Sequence, residues 1–216
     1  MLSKRLQAVA AEIPQVSVLA DIGTDHGFLV VEVIKRGLAD RVIATDVSAP
    51  SLDKARRNVD EAGIISGVEY RLGFGTDVLK DGEAQCIVIA GMGGQQIIKI
   101  LDGGKGAKTY VLSPQSNVRE VRTYLVGNGY KIVRDYTVAS DGKFYVIIRA
   151  TRGKDALSRL ERAFGRTNIT EPSNDFRAYI AKMEERYFRL KSCAKGAAYD
   201  EVSERLEDIE QVKRLI

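Results

Sequence analysis

The chain has 216 residues, 44% of them hydrophobic and 29% charged, proportions that fit a folded protein with a substantial core and exclude general disorder. A formal charge of +4 and a pI near 9.0 allow a polyanionic partner, but the charge is spread evenly over 1–150 and 151–216, so such a site is a local patch and not a basic tail. One histidine and two distant cysteines, Cys86 and Cys193, exclude a disulfide framework and a Cys/His metal site, so no metal is expected.

Ser3 is positioned to cap a short amphipathic helix whose Leu6, Val9, Ala10 and Ile13 share one face, closed by Pro14. Residues 17–22 read as a buried strand, followed by a glycine-bearing loop and a helix stopping at Gly37. A second strand, 41–45, leads to Asp46 and to a helix over 50–62 that starts on Pro50 and stops at Gly63. Residues 68–72 form a third strand, and 86–90 a fourth that is almost wholly apolar, as expected where both sheet faces are covered. A helix to about Leu101, a fifth strand over 109–112 and a helix to about Gly127 follow. The runs 131–139 and 144–150 flank Asp141-Gly142, a hairpin-turn signal. Five strand–helix alternations and a terminal antiparallel hairpin predict a doubly wound α/β domain with a mixed sheet, the layout of a Rossmann-like class I methyltransferase. Beyond it, Leu157, Leu160 and Phe164 suggest a short helix, 168–174 a break, and two apolar repeats around 176–190 and 202–216 an antiparallel coiled-coil hairpin. The expected domains are 1–153 and 154–216. No apolar run is long enough to span a bilayer and no leader core follows Met1–Arg5, so a cytoplasmic protein without a membrane partner is expected. The oligomeric state, monomer or coiled-coil dimer, is left open.

The loop Asp21-Ile-Gly-Thr-Asp-His-Gly27 sits at a strand-to-helix turn, where glycines admit close backbone approach and the helix N-terminus offers free amides. Its spacing is Gly-x-x-x-Gly, not that of the dinucleotide fingerprint. Asp21 and Asp25 would repel a pyrophosphate but attract a sulfonium and an ammonium, so the charge favours S-adenosylmethionine over a nicotinamide cofactor. Asp46, at the end of the second strand, is placed to take ribose hydroxyls; capping the next helix is its other reading. Gly73–Gly75 and Gly91–Gly94 fall at the ends of the third and fourth strands, the edge where open α/β sheets hold ligands.

These motifs resemble the bacterial tRNA adenine-N1-methyltransferases of the TrmK type, which modify position 22 of tRNA. The resemblance rests on Leu2-Ser-Lys-Arg-Leu6, Ala20-Asp-Ile-Gly-Thr-Asp-His26, Ile89-Ala-Gly-Met-Gly-Gly94, Leu112-Ser-Pro-Gln-Ser-Asn117 and Asp141-Gly-Lys143. It covers the α/β domain fully and the helical hairpin by architecture. It implies a cofactor site made of Asp21, Gly23, Thr24, His26, Gly27, Asp46, Val47, Gly73, Phe74, Gly75, Ala90, Gly91, Met92 and Gly93. Where the family commonly has Gly-Asp-Gly after the third strand, this chain has Phe74, which stacks on or walls the cofactor adenine instead. N1 attack needs no base, so catalysis is chiefly placement of an extruded adenine. Asp25 is the candidate catalytic carboxylate, stabilising developing positive charge or accepting from the adenine amino group; holding loop amides is its competing role. Gln115 and Asn117 are candidates for the base edge, and Lys4, Arg5, Arg149, Arg152, Arg159 and Arg162, with Lys154 and Arg166, for RNA phosphates. The aromatics of the C-terminal repeats lie at core spacing and are not read as base stackers. A methyltransferase acting on a small molecule or protein, and a non-enzymatic RNA-binding protein of degenerate methyltransferase fold, remain the alternatives.

Overall fold

The computed structural model describes residues 2–216. Ser3 accepts a hydrogen bond from the Leu6 amide and opens α1 (Lys4–Ala11). Then come β1 (Val16–Ile22), α2 (Phe28–Lys35), β2 (Ala39–Asp46), α3 (Ala49–Glu61), β3 (Val68–Leu72), β4 (Cys86–Ala90), α4 (Gly94–Gly103), β5 (Thr109–Ser113) and α5 (Val118–Gly127). The hairpin β6 (Tyr130–Ser140) and β7 (Lys143–Arg152) completes the sheet. Four helices close the chain: α6 (Arg159–Phe164), α7 (Arg166–Thr170), α8 (Asn174–Cys193) and α9 (Ala197–Lys213).

The seven strands lie in the order β3-β2-β1-β4-β5-β7-β6. The first five are parallel, while β7 inserts antiparallel between β5 and β6, as the Asp141-Gly142 turn implied. One face buries Val9, Leu19, Val30, Val42 and Val88 beneath α1, α2 and α3. The other buries Ile22, Ile87, Ile97, Leu112 and Leu125 beneath α4 and α5. The five parallel strands therefore end at one edge, with Gly23, Asp46, Gly73 and Gly91 at or just past the last residues of β1, β2, β3 and β4.

The helical segment differs from expectation at 168–174, where α7 carries the chain through Thr170 before α8 begins. Asn168 does not break structure. It is buried, accepts from the Thr137 amide at 2.9 Å and donates to the Phe164 carbonyl at 2.7 Å. Phe164, Phe176, Ile180, Ile209 and Val212 form a separate small core where α8 and α9 pair, while the distal part of that hairpin, including Phe188 and Tyr199, is exposed.

Candidate functional site

The loops at the sheet edge are stitched to one another by their own backbone. Gly23 and Thr24 amides donate to the Thr45 carbonyl at 2.8 and 2.9 Å. Asp46 then binds both sides: one carboxylate oxygen accepts from the Asp25 amide (3.2 Å), the other from the Ser48 amide (2.9 Å). Those bonds hold Asp25 in a left-handed conformation (φ 49°) and still leave lone pairs on each oxygen. Across the cavity, Gln115 donates its amide to the Met92 carbonyl (2.9 Å) and Gly94 to the Ser116 carbonyl (3.0 Å). A side chain at Gly94 would run into the backbone of Ser116 and Asn117, so this loop pairing requires glycine.

Two chambers open between these loops. The larger, about 380 Å³, has Arg5, Asp21, Asp25, His26, Asp46 and Gln115 in its wall, with Ala90 and Gly91 behind and Thr24 beside Asp21. The smaller, about 70 Å³, is walled by Val47, Gly73, Phe74, Gly75, Gln96 and Ile100. Gly23, Asp46 and Met92 border both. Gly23 has φ +74° and a Cβ there would strike the Met92 terminal methyl, so the methionine lies across the boundary.

Charge is distributed unevenly. Asp21 is buried, accepts from the Thr24 hydroxyl at 2.7 Å, and has its pKa pushed up to about 6. Burial is the main cause; the Thr24 bond opposes it and the neighbouring Asp46 adds to it. Asp25 stands exposed at the mouth, 3.6 Å from His26 Nε2, and His26 stacks on Phe28 with centroids 5.5 Å apart. Arg5 is the counterweight: its guanidinium lies against Gly91 and over the Tyr145 ring at 5.1 Å. Its buried Nε has no partner among the described residues, and neither has the Thr45 hydroxyl in the small chamber. Three carboxylates, one guanidinium and unfilled donors suit a ligand carrying two cationic groups, one carboxylate and a nucleoside. S-adenosylmethionine fits that donor set.

Comparison with known proteins agrees with the geometry. Residues 2–148 match a family of methyltransferase domains. The tRNA (adenine(22)-N(1))-methyltransferase of Bacillus subtilis (strain 168) is 37% identical over 156 residues, covering 70% of this chain and 66% of that one. By that measure the chain spans 63–66% of the length of the curated relatives it matches. The crystal structure of the B. subtilis M1A22 tRNA methyltransferase TrmK is 30% identical, with a TM-score of 0.84 over 98% of both chains. The chain belongs to the TrmK family. Another relative, Sp1610 of Streptococcus pneumoniae, was solved in complex with S-adenosyl-L-methionine and superposes at TM-score 0.89, 29% identical over 98% of this chain and 99% of that one.

Within this TrmK frame most of the expected cofactor residues do converge on the two chambers, but Gly27 and Gly93 line neither. Gly27 packs against Ala55 of α3, serving helix packing. Asn117 is left-handed (φ 51°), at the start of α5 beside Gly94, away from the cavity that Gln115 enters. Arg5, expected to meet RNA phosphates, lines the large chamber instead, and Gln115, expected at a base edge, lines it too. Half of the expected phosphate surface over 149–166 is engaged by acidic side chains. Arg149 lies 3.4 Å from Glu12, and Arg159 Nε is 2.7 Å from the buried Asp208. Arg166 bonds Asp155 and Glu161, and Arg152 covers the Tyr130 ring at 4.3 Å. Lys4, Lys154 and Arg162 remain exposed. In this TrmK-family chain Arg159 is paired because α6 docks against α5 and α9, and Arg149 because α1 packs on β7 and brings Glu12 with it, placements that a charge run cannot reveal. Phe28 and Gln96 were missed. The one signal for Phe28 is a large apolar residue directly after the glycine loop, where the start of α2 leaves it 49% exposed. Among the described residues no cluster of His, Cys, Asp or Glu is arranged to hold a metal, and no helix is long and apolar enough to cross a membrane.

Proposed function

We propose that the protein methylates N1 of an adenine in tRNA, at position 22, using S-adenosylmethionine. The observation that carries this reading is the cavity in which Asp21, Asp25 and Asp46 face the single guanidinium of Arg5, in a chain that resembles the Bacillus enzyme over nearly its whole length. The bound cofactor supplies a methyl group activated by a positive sulfonium.

The chain's own residues then position and shield. Asp21, ionised at neutral pH, holds the ammonium, and Arg5, in the wall of the large chamber, takes the carboxylate. Asp46 receives the ribose hydroxyls with its free lone pairs, and Phe74, over which Lys99 Nζ sits at 5.5 Å, walls the adenine. Met92, unbranched and adaptable, swings from the chamber boundary so that one nucleoside fits both. The stacked rings of His26 and Phe28 give the extruded target base an apolar step at the mouth. Gln115 orients its edge, and the exposed carboxylate of Asp25 stabilises the positive charge that arrives on the base. No general base is required, because N1 offers a lone pair. Residues 1–153 are the catalytic domain and 154–216 a helical arm for the RNA.

Incubation with methyl-labelled cofactor and bulk unmodified tRNA, followed by nucleoside analysis, tests the reading. Label should appear as 1-methyladenosine. Intact cofactor binding without that product would point to a small-molecule or protein substrate.

A further inference from the structure

With Arg149, Arg159 and Arg166 paired, another cationic surface stands out, most of whose cations have no ion-pair partner among the described residues. A groove of about 310 Å³ runs between the start of β7 and α8, walled by Lys143, Phe144, Tyr179, Lys182, Arg186 and Arg189. The Phe144 and Tyr179 rings meet at 5.5 Å, tilted by 54°, and Lys182 Nζ stands 5.7 Å above Phe144. No acidic side chain lines the groove. Of the acids on the same stretch of α8, Glu184 bonds Lys213 at 2.8 Å and Glu185 lies 3.5 Å from Arg189. Asp175 is engaged by the Ala139 amide and Asp141 by the Ser140 hydroxyl. Lys143, Lys182 and Arg186 make no ion pair among the described residues.

Position links this groove to the cavity. Leu112 of β5 pairs with Ile148 of β7, so 143–146 overhang the end of β5, on the edge where the cofactor chambers open. Successive residues of a strand face opposite sides. Tyr145 accordingly sits under Arg5, which lines the large chamber, while Phe144 faces α8. Groove and cavity thus flank one strand end.

We infer that the groove is a second tRNA contact, taking an unpaired base of the tRNA against Phe144 and the flanking phosphates on Lys182, Arg186 and Arg189. An aromatic face accepts any base, and cations at its rim neutralise the backbone. The inference rests on the tRNA-methyltransferase reading above.

The test measures binding of an unmodified tRNA transcript to the full-length protein across a salt series. One variant is Lys182→Gln/Arg186→Gln/Arg189→Gln, all at exposed positions; the other is Phe144→Leu, which keeps apolar packing and removes the ring. The triple variant should bind tRNA at least about tenfold more weakly, with a salt slope shallower by about two to three. Phe144→Leu should lose about tenfold with its slope unchanged. Cofactor affinity and melting temperature should stay at wild-type values in both. Wild-type tRNA affinity and slope in both variants would overturn the inference. So would a triple variant that alters only self-association in sedimentation, which would make the groove a protein–protein face. A wild-type protein that itself fails to bind tRNA would sink the parent reading as well, and is distinguishable on that ground.

Discussion

Asp21 combines near-complete burial with a neighbour of like charge, and its carboxyl is pushed up to about 6 as a result. A carboxyl raised in the folded state from 3.8 to about 6 contributes stability that is complete below the lower value and is lost as pH rises through the upper one. In the ligand-free protein, ionised Asp21 is therefore a strain at neutral pH, and a bound ammonium relieves it. Cofactor affinity measured by calorimetry should be level above about pH 7 and fall by up to about tenfold per pH unit below 6. Asp21→Asn should bind weakly with a flat profile. A flat wild-type profile across the same range would remove Asp21 from the ammonium contact. Gly23 offers a second handle, since alanine there meets both a left-handed backbone and the Met92 methyl. Gly23→Ala should weaken cofactor binding by an order of magnitude or more, and wild-type affinity would show that the loop yields freely.

Between elements, the decisive joint lies where α6 and α7 meet α5 and β6. Arg122 and Asp135 are buried together, with Nε 2.8 Å from Oδ2 and relative exposures of 1% and 0%. Arg122 also donates to the carbonyls of Arg162 and Ala163 at the end of α6, and Asp135 accepts from the Thr167 amide of α7. Gly165 closes over the pair with φ +93°, where a Cβ would press on Asp135 and Arg122. α5 begins one turn before Arg122, next to the loop that carries Gln115, so the joint ties the helical arm to the site. Removing one member of a buried pair strands the other, so Arg122→Met should cost about 3–5 kcal/mol in denaturant unfolding. Arg122→Met/Asp135→Leu should recover much of that loss. A single variant as stable as wild type would mean that the joint carries little.

At the scale of the whole molecule, what was legible follows from what periodicity encodes. Apolar runs and the glycines punctuating them locate strands, and Asp141-Gly142 locates the hairpin; together they yield the sheet and its ligand edge. The acidic residues of the edge, Asp21, Asp25 and Asp46, were legible because a strand end places them without any knowledge of packing. Pairing across distance was not. Nothing local marks Arg122 and Asp135 as a buried pair, and Arg159 reads as an RNA contact because nothing local marks Asp208 as its buried partner. Asn168 read as a loop former, since its hydrogen bonds go to a strand far away in sequence. Arg5 was assigned to RNA, and only the packing of α1 brings it to the cofactor cavity. The chemistry proposed for the assembled site turns on one atom of the substrate, the adenine N1 lone pair. The most direct measurement compares two otherwise identical tRNAs, one with adenosine at position 22 and one with 1-deazaadenosine, in which that nitrogen is replaced by C–H. Methyl transfer to the first and none to the second is expected, with both bound equally well; methyl transfer to the deaza tRNA would contradict attack by N1.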